Sequence, residues 1–135
     1  MNPDTPSATP PVRLIPAERL DHINSLIAEG AVFEGHFHCS TDQGIRIDGR
    51  LSGSITFESG GTLHIGRTGV VENTQLQADY VLIEGKVTGN VTARKALEVT
   101  STGALVGDVS YHESIDIHPR ARLRGRLDYQ GEMDA

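Results

Sequence analysis

A five-residue figure, apolar-x-Gly-x-apolar, returns along the chain at a nearly fixed interval, and that interval restricts the fold more than any other property of the sequence. It reads Phe33-Glu34-Gly35-His36-Phe37, Leu51-Ser52-Gly53-Ser54-Ile55, Val87-Thr88-Gly89-Asn90-Val91, Leu105-Val106-Gly107-Asp108-Val109 and Leu123-Arg124-Gly125-Arg126-Leu127. A degraded copy lies at Val71-Glu72-Asn73-Thr74. Neighbouring glycines of the figure stand 18 residues apart, with Asn73 inside the one longer interval. Self-similarity at such a period marks a solenoid, in which each repeat buries its apolar face only by stacking on the next.

Within the repeats the apolar residues alternate. From Ile45 to Ile55 an apolar residue or glycine occupies every second position, which fits a strand with one buried and one solvated face and fits no helix. Similar openings follow at Leu63, Val81, Leu97 and Ile115, which gives six repeats centred on Gly35, Gly53, Asn73, Gly89, Gly107 and Gly125. About 18 residues hold three short strands and three corners, so the chain is expected to coil as an all-β parallel β-helix, each turn rising by the inter-strand spacing of ~4.8 Å. With 37% hydrophobic but only 4% aromatic residues and no Trp, the interior has to be built from small aliphatic side chains. The repeated glycine then has two available reasons: an inward position with no room for a side chain, or a bend that a Cβ would resist. Asn73, the exception, is expected at a local bulge.

Outside the repeats the reading changes. Residues 1–16 hold five of the six prolines and are expected to be a disordered arm, with Val12, Leu14 and Ile15 as its one apolar cluster. Residues 17–26 are the only helical candidate and serve as a lead-in, residues 27–129 form the β-helix, and 130–135 are a disordered tail. The first 16 residues lack the apolar core of a signal peptide, and no run approaches the ~18 apolar residues of a membrane span. One cysteine, Cys39, excludes an intramolecular disulfide and a multi-cysteine zinc site and reads as a structural thiol. A net charge of −6 offers no overall field for nucleic acid.

Residues 25–127 closely resemble the bactofilin family. The resemblance is carried by Ser25 to Gly35, by Ile47-Asp48-Gly49-Arg50-Leu51-Ser52-Gly53-Ser54-Ile55, and by Ile83-Glu84-Gly85-Lys86-Val87-Thr88-Gly89-Asn90-Val91-Thr92-Ala93. It implies a right-handed, roughly triangular β-helix with disordered termini that polymerises end to end without a nucleotide. The corresponding function is a bacterial cytoplasmic scaffold, non-enzymatic and cofactor-free, with cell-envelope proteins or the inner membrane surface as partners besides itself. Some members carry an N-terminal membrane-targeting peptide; this arm offers only Val12, Leu14 and Ile15.

End turns of a solenoid leave an apolar cross-section and unpaired strand edges, so self-association is expected at Ile27, Phe33 and Phe37 on one end and at Leu123, Leu127 and Tyr129 on the other. Arg120, Arg122, Arg124 and Arg126, spaced by two, place four guanidinium groups together on the last turn. Docking to an acidic partner surface, an anionic lipid or a polyanion, and protection of an edge strand by charge against aggregation, are both open readings of that run. No aromatic residues interleave with the arginines, which disfavours nucleic-acid readout. His36 and His38 share an outward face, but no third ligand is specified by spacing, so no metal site is assigned. Asp48 and Glu84, about two turns apart, are not read as an acid–base pair. The rival architecture is a left-handed β-helix enzyme, of the hexapeptide acyltransferase or carbonic-anhydrase-like type. It would need a small aliphatic at every sixth position; counting from Ile47 meets Gly53, Ser59, Ile65, Val71, Gln77 and Ile83.

Overall fold

The computed structural model describes residues 12–21 and 23–130. After a short helix α1 (Ala17–Asp21), twelve strands follow: β1 (Ser25–Ile27), β2 (Val32–Cys39), β3 (Gly44–Ile47), β4 (Arg50–Phe57), β5 (Thr62–Ile65), β6 (Val70–Ile83), β7 (Lys86–Val99), β8 (Ala104–Val106), β9 (Val109–Tyr111), β10 (Ser114–Ile117), β11 (Arg122–Arg124) and β12 (Leu127–Tyr129). Every pairing is parallel, and the strands form a β-solenoid of about six turns. Three stacks of strands make its faces. The first stack places Ile27, Ile47, Ile65, Ile83, Val99 and Ile117 in line. The second carries Phe33, Leu51, Val71, Val87, Leu105 and Leu123. On the third, Phe37, Ile55, Leu76, Val91, Val109 and Leu127 follow one another.

These columns are the core. Alternation puts Ile47, Leu51, Ile55, Leu63, Ile65, Val87, Leu97 and Leu105 inside, and Phe57 is the one aromatic buried with them. Each apolar residue packs on its counterpart one turn away, which is why the repeat length is held while corner loops vary.

The glycine figure proves to be a corner. Strands β2 and β4 run through it, passing from the second face to the third at Gly35 and Gly53. Gly35, Gly53, Gly89, Gly107 and Gly125 all have φ between +134° and +144°. A Cβ on Gly53 would lie 1.7 Å from the carbonyl oxygen of Gly35, and one on Gly107 would lie 1.8 Å from that of Gly89. Of the two expected reasons the bend is the operative one. What forbids a side chain is the backbone of the adjoining turn along the axis, rather than a crowded interior.

The exceptional repeat contains the anticipated bulge. Register shifts occur between Ser52 and Ser54 on β4 and between Val71 and Thr74 on β6, so two residues oppose one glycine. It is Thr74 that pairs with Gly89, and Asn73 is the additional residue. Buried Thr74 leaves its hydroxyl without a hydrogen-bond partner, a local cost of the irregular corner.

Residues 1–11 of the expected arm, together with 131–135 of the expected tail, lie outside the described residues, as does His22. From Val12 onward the amino-terminal segment lies on the outer side of the first face. Ile15 packs there with Leu82 and Ala96 in a second apolar cluster, flanked by Val12, Leu14, Leu20 and Tyr80. The helix forms within the anticipated lead-in, and Pro16 stands just before its first residue with its carbonyl accepting from the Arg19 amide.

Candidate functional site

The two ends of the solenoid differ from its middle in both pairing and burial. Strands β1 and β2 pair only with β3 and β4, while β10, β11 and β12 pair only with β7, β8 and β9. Each end turn therefore presents one edge of backbone donors and acceptors outside the ladder, the arrangement that templates addition of another strand.

At the first end, Ile27, Phe33 and Phe37 are half-buried against the core, and the two phenyl rings stack with centroids 4.6 Å apart. Gly35 sits between them, and a Cβ there would meet only the Phe33 ring, at 3.5 Å. At the other end Leu123 is half-buried, whereas Leu127 and Tyr129 are 46% and 42% exposed. The Tyr129 ring lies 5.3 Å from that of Tyr111 one turn below. Three expected residues thus gather at each end. Two further exposed apolar side chains of the first turn, Leu26 and Val32, were not anticipated. Their signal was present in the sequence, because each is an apolar residue at an outward position of the alternation.

The arginines of the last turn are distinctive for what they lack. Arg13, Arg19, Arg46, Arg50 and Arg94 each hold a carboxylate. By contrast Arg120, Arg122, Arg124 and Arg126 have no ion-pair partner among the described residues, although the chain is acidic overall. Arg120 is also, among the described residues, the only non-glycine residue with positive φ, at 74°. It occupies the corner where the first turn has Gly30 at φ 87°. Arg120 and Arg122 join Lys86, Ser101 and Thr102 around an open notch of about 370 Å³. No carboxylate lines it.

Other residues singled out by sequence are absorbed locally. His36 hydrogen-bonds Ser54 (2.6 Å) and His38 approaches Glu58 (2.8 Å), so the two side chains engage the neighbouring turn separately. Cys39 is half-buried against the core. Glu84 pairs with His64 at 2.7 Å and Asp48 with Arg46 at 2.9 Å.

A polar centre that sequence reasoning missed lies under the amino-terminal segment. Glu98 points outward from β7, where solvent would be expected, yet it is fully buried. Its Oε2 accepts from the amide of Arg13 (2.7 Å), and its Oε1 accepts from the amides of Leu14 (2.9 Å) and Ile15 (3.1 Å). His118 Nε2 lies 2.6 Å from the same carboxylate. Beside it the Arg13 guanidinium donates twice to Asp116, at 2.8 and 2.6 Å. That hydrogen bond holds the Asp116 carboxyl below its ordinary range, against the opposing effect of burial and with further help from the charges of Arg13 and His118. Glu98, Asp116 and His118 bring ligand atoms within 4.8 Å of one another, as a metal site would. Here the carboxylates are engaged by protein donors, which makes the group a clasp for the segment.

Similarity to known proteins follows the solenoid. The family model for bactofilins, described as polymer-forming cytoskeletal, matches residues 25–128. Bactofilin BacO of Myxococcus xanthus (strain DK1622) is 29% identical over 111 residues, covering 82% of this chain and 79% of that protein. Bactofilin BacP of the same organism is 29% identical over 105 residues, covering 78% of this chain but 41% of that protein. No solved structure matches the chain.

Proposed function

The chain belongs to the bactofilin family of polymer-forming cytoskeletal proteins, and from that premise we propose that it is a cytoplasmic scaffold whose copies stack through their end turns into nucleotide-independent filaments. The observation that carries this reading is the pair of ends that no described residue covers, each with a strand edge unpaired among the described residues beside apolar side chains: Ile27, Phe33 and Phe37 at one, Leu123, Leu127 and Tyr129 at the other. Stacking extends the core columns into the next molecule and supplies the missing ladder partners, burying apolar surface at roughly 25 cal/mol per Å². Family membership also weighs against a hexapeptide-type enzyme. Phe37→Arg and Leu127→Arg, made separately, test the stacking. Each is expected to abolish long polymers in sedimentation and negative-stain microscopy while keeping the β-rich circular dichroism of the parent. Polymers of parental length in both variants would refute it.

Filaments are proposed to present their outer faces to envelope partners, and the arginine run is the face best suited to one of them. Arg120, Arg122, Arg124 and Arg126 have no ion-pair partner among the described residues, and one of them occupies a left-handed corner that favours glycine. Such a cluster suits the anionic inner surface of the membrane, where each cation contributes about 1 kcal/mol. No helix of the described residues is long and apolar enough to cross a membrane, so contact through this patch would be peripheral. Flotation with phosphatidylglycerol vesicles is expected to be lost in high salt and in the fourfold Arg→Gln variant. Equal flotation of the variant would exclude this partner.

A further inference from the structure

Residues 12–16 occupy a built site. On the outward side of the first face the equivalent positions in successive turns are Arg46, His64, Leu82, Glu98 and Asp116. Leu82 and Glu98 are fully buried because the amino-terminal segment covers them. Three features define what the site reads. The Glu98 carboxylate takes three successive backbone amides, which fixes the segment without regard to its side chains. Asp116 takes a guanidinium through two hydrogen bonds, which selects a basic residue at the first position. The hollow formed by Leu82 and Ala96 takes Ile15, which selects an apolar residue two positions later.

The occupant is attached differently from the rest of the chain. Residues 12–16 belong to no strand and add nothing to the parallel ladder. They precede the first turn in sequence and lie on the outer side of the first face, so leaving the site breaks the Glu98 and Asp116 contacts and uncovers Ile15 without dismantling a turn. Where copies lie side by side, the same segment of a neighbour is present at high effective concentration and can compete for the site. Exchange of identical elements between copies is a low-cost route to association.

We propose that the cleft centred on Glu98, Asp116, Leu82 and Ala96 is a peptide-binding site for a basic-x-apolar segment, and that its partner in trans is residues 12–16 of a second copy, in competition with the segment of the same chain. The contact links copies through the outer face and is independent of end stacking.

The first test uses a fluorescent peptide with the sequence of residues 10–17 and the full-length chain. Arg13→Glu combined with Ile15→Asp weakens the resident segment and is expected to bind the peptide at least tenfold more tightly than the parent. Adding Glu98→Gln to that variant is expected to reverse the gain. Failure of the double variant to bind, indifference to Glu98→Gln, or loss of its β-rich circular dichroism would each overturn the proposal, the last by showing that the segment is part of the fold. The second test addresses exchange between copies. In a Cys39→Ser background, chains carrying Ile15→Cys are mixed with chains carrying Ala96→Cys and oxidised. A disulfide-linked heterodimer on a non-reducing gel is expected, diminished by Glu98→Gln in the second chain. Its absence would overturn the assignment of a second copy as partner.

Discussion

Replacing Gly107 by Ala tests the reading of the repeated glycine as an axial contact between turns. A Cβ at Gly107 would stand 1.8 Å from the carbonyl oxygen of Gly89, 2.7 Å from its carbon and 3.1 Å from its nitrogen, all backbone atoms that no rotamer change can move. Relief requires the two turns to part by more than about 1 Å, which stretches neighbouring ladder bonds such as Val91 N–H to Asp108 O, now 2.9 Å, past the ~3.5 Å limit. Backbone strain at φ +142° adds about 1–3 kcal/mol, overpacking about 1–3, and one weakened hydrogen bond about 1, giving a loss of roughly 3–7 kcal/mol. Gly35→Ala is the matched control. Its φ is +143°, but its Cβ would meet only Phe33 ring carbons at 3.5 and 3.7 Å, so only the strain of about 1–3 kcal/mol remains. The strain is common to both, so the difference is about 2–4 kcal/mol, and at ~3–5 °C per kcal/mol for a chain of this size Gly107→Ala should melt roughly 6–20 °C below Gly35→Ala. Melting is followed by far-UV circular dichroism at concentrations where sedimentation shows one small species. The two variants differ oppositely in assembly. The absent Cβ of Gly53 points back at Gly35, so that of Gly35 points out of the open end, and Gly35→Ala should shorten polymers while the turns persist. Melting points within about 2 °C of each other would refute the axial-contact argument.

Arg94 staples a corner, donating to Asp79 (2.8 Å) and to the carbonyls of Phe57 (2.7 Å) and Gly60 (3.0 Å). Arg94→Ala should cost about 2–4 kcal/mol in urea unfolding, and Lys should recover less than half, because an ammonium cannot reproduce the fork. Arg120→Gly should leave stability unchanged or raise it by up to about 1 kcal/mol, since glycine accepts the left-handed corner, while weakening vesicle flotation. The Asp116 carboxyl titrates below its ordinary value because Arg13 holds the charged form. Its contribution is therefore complete above the unfolded carboxylate pKa of ~3.9 and disappears as pH falls through the lower folded value. The stability gap between the parent and Asp116→Asn should be constant from pH 7 to about 5 and close at more acid pH, as measured by urea unfolding across that range.

Local periodicity carried the solenoid. Alternation placed Leu51, Ile55, Ile65 and Leu105 inside, and the glycine spacing counted the turns, because in a stacked coil every long-range contact is a copy of the one before it. The same period assigned each apolar-x-Gly-x-apolar figure to a strand and left open whether the strand bends there. That distinction resides in a positive φ and an adjoining carbonyl, which the residue pattern does not contain. The Glu98 centre was less legible still. Alternation sends Glu98 and Leu82 outward to solvent, and what covers them lies 83 to 85 positions earlier in sequence for Glu98. A signal did exist: Val81-Leu82-Ile83 breaks the alternation with an apolar residue at an outward position.

Leu82 and Ala96 differ in fate from the exposed apolar residues of the end turns, and the difference bears on how the molecule grows. Leu82 and Ala96, in the middle turns, are sealed by the chain's own amino-terminal segment, which reaches from Asp42 before the second turn to Asp116 in the sixth. Leu26 and Val32 in the first turn and Leu127 and Tyr129 in the last are left uncovered. A segment running along the axis braces turn against turn, whereas a cap would lie across an end and close the ladder. With lateral bracing and ends that no described residue covers, loosening the clasp would alter contacts between neighbouring copies while leaving axial stacking intact. Variants at Glu98 and at Leu127 should therefore change lateral association and filament length separately, each without the other.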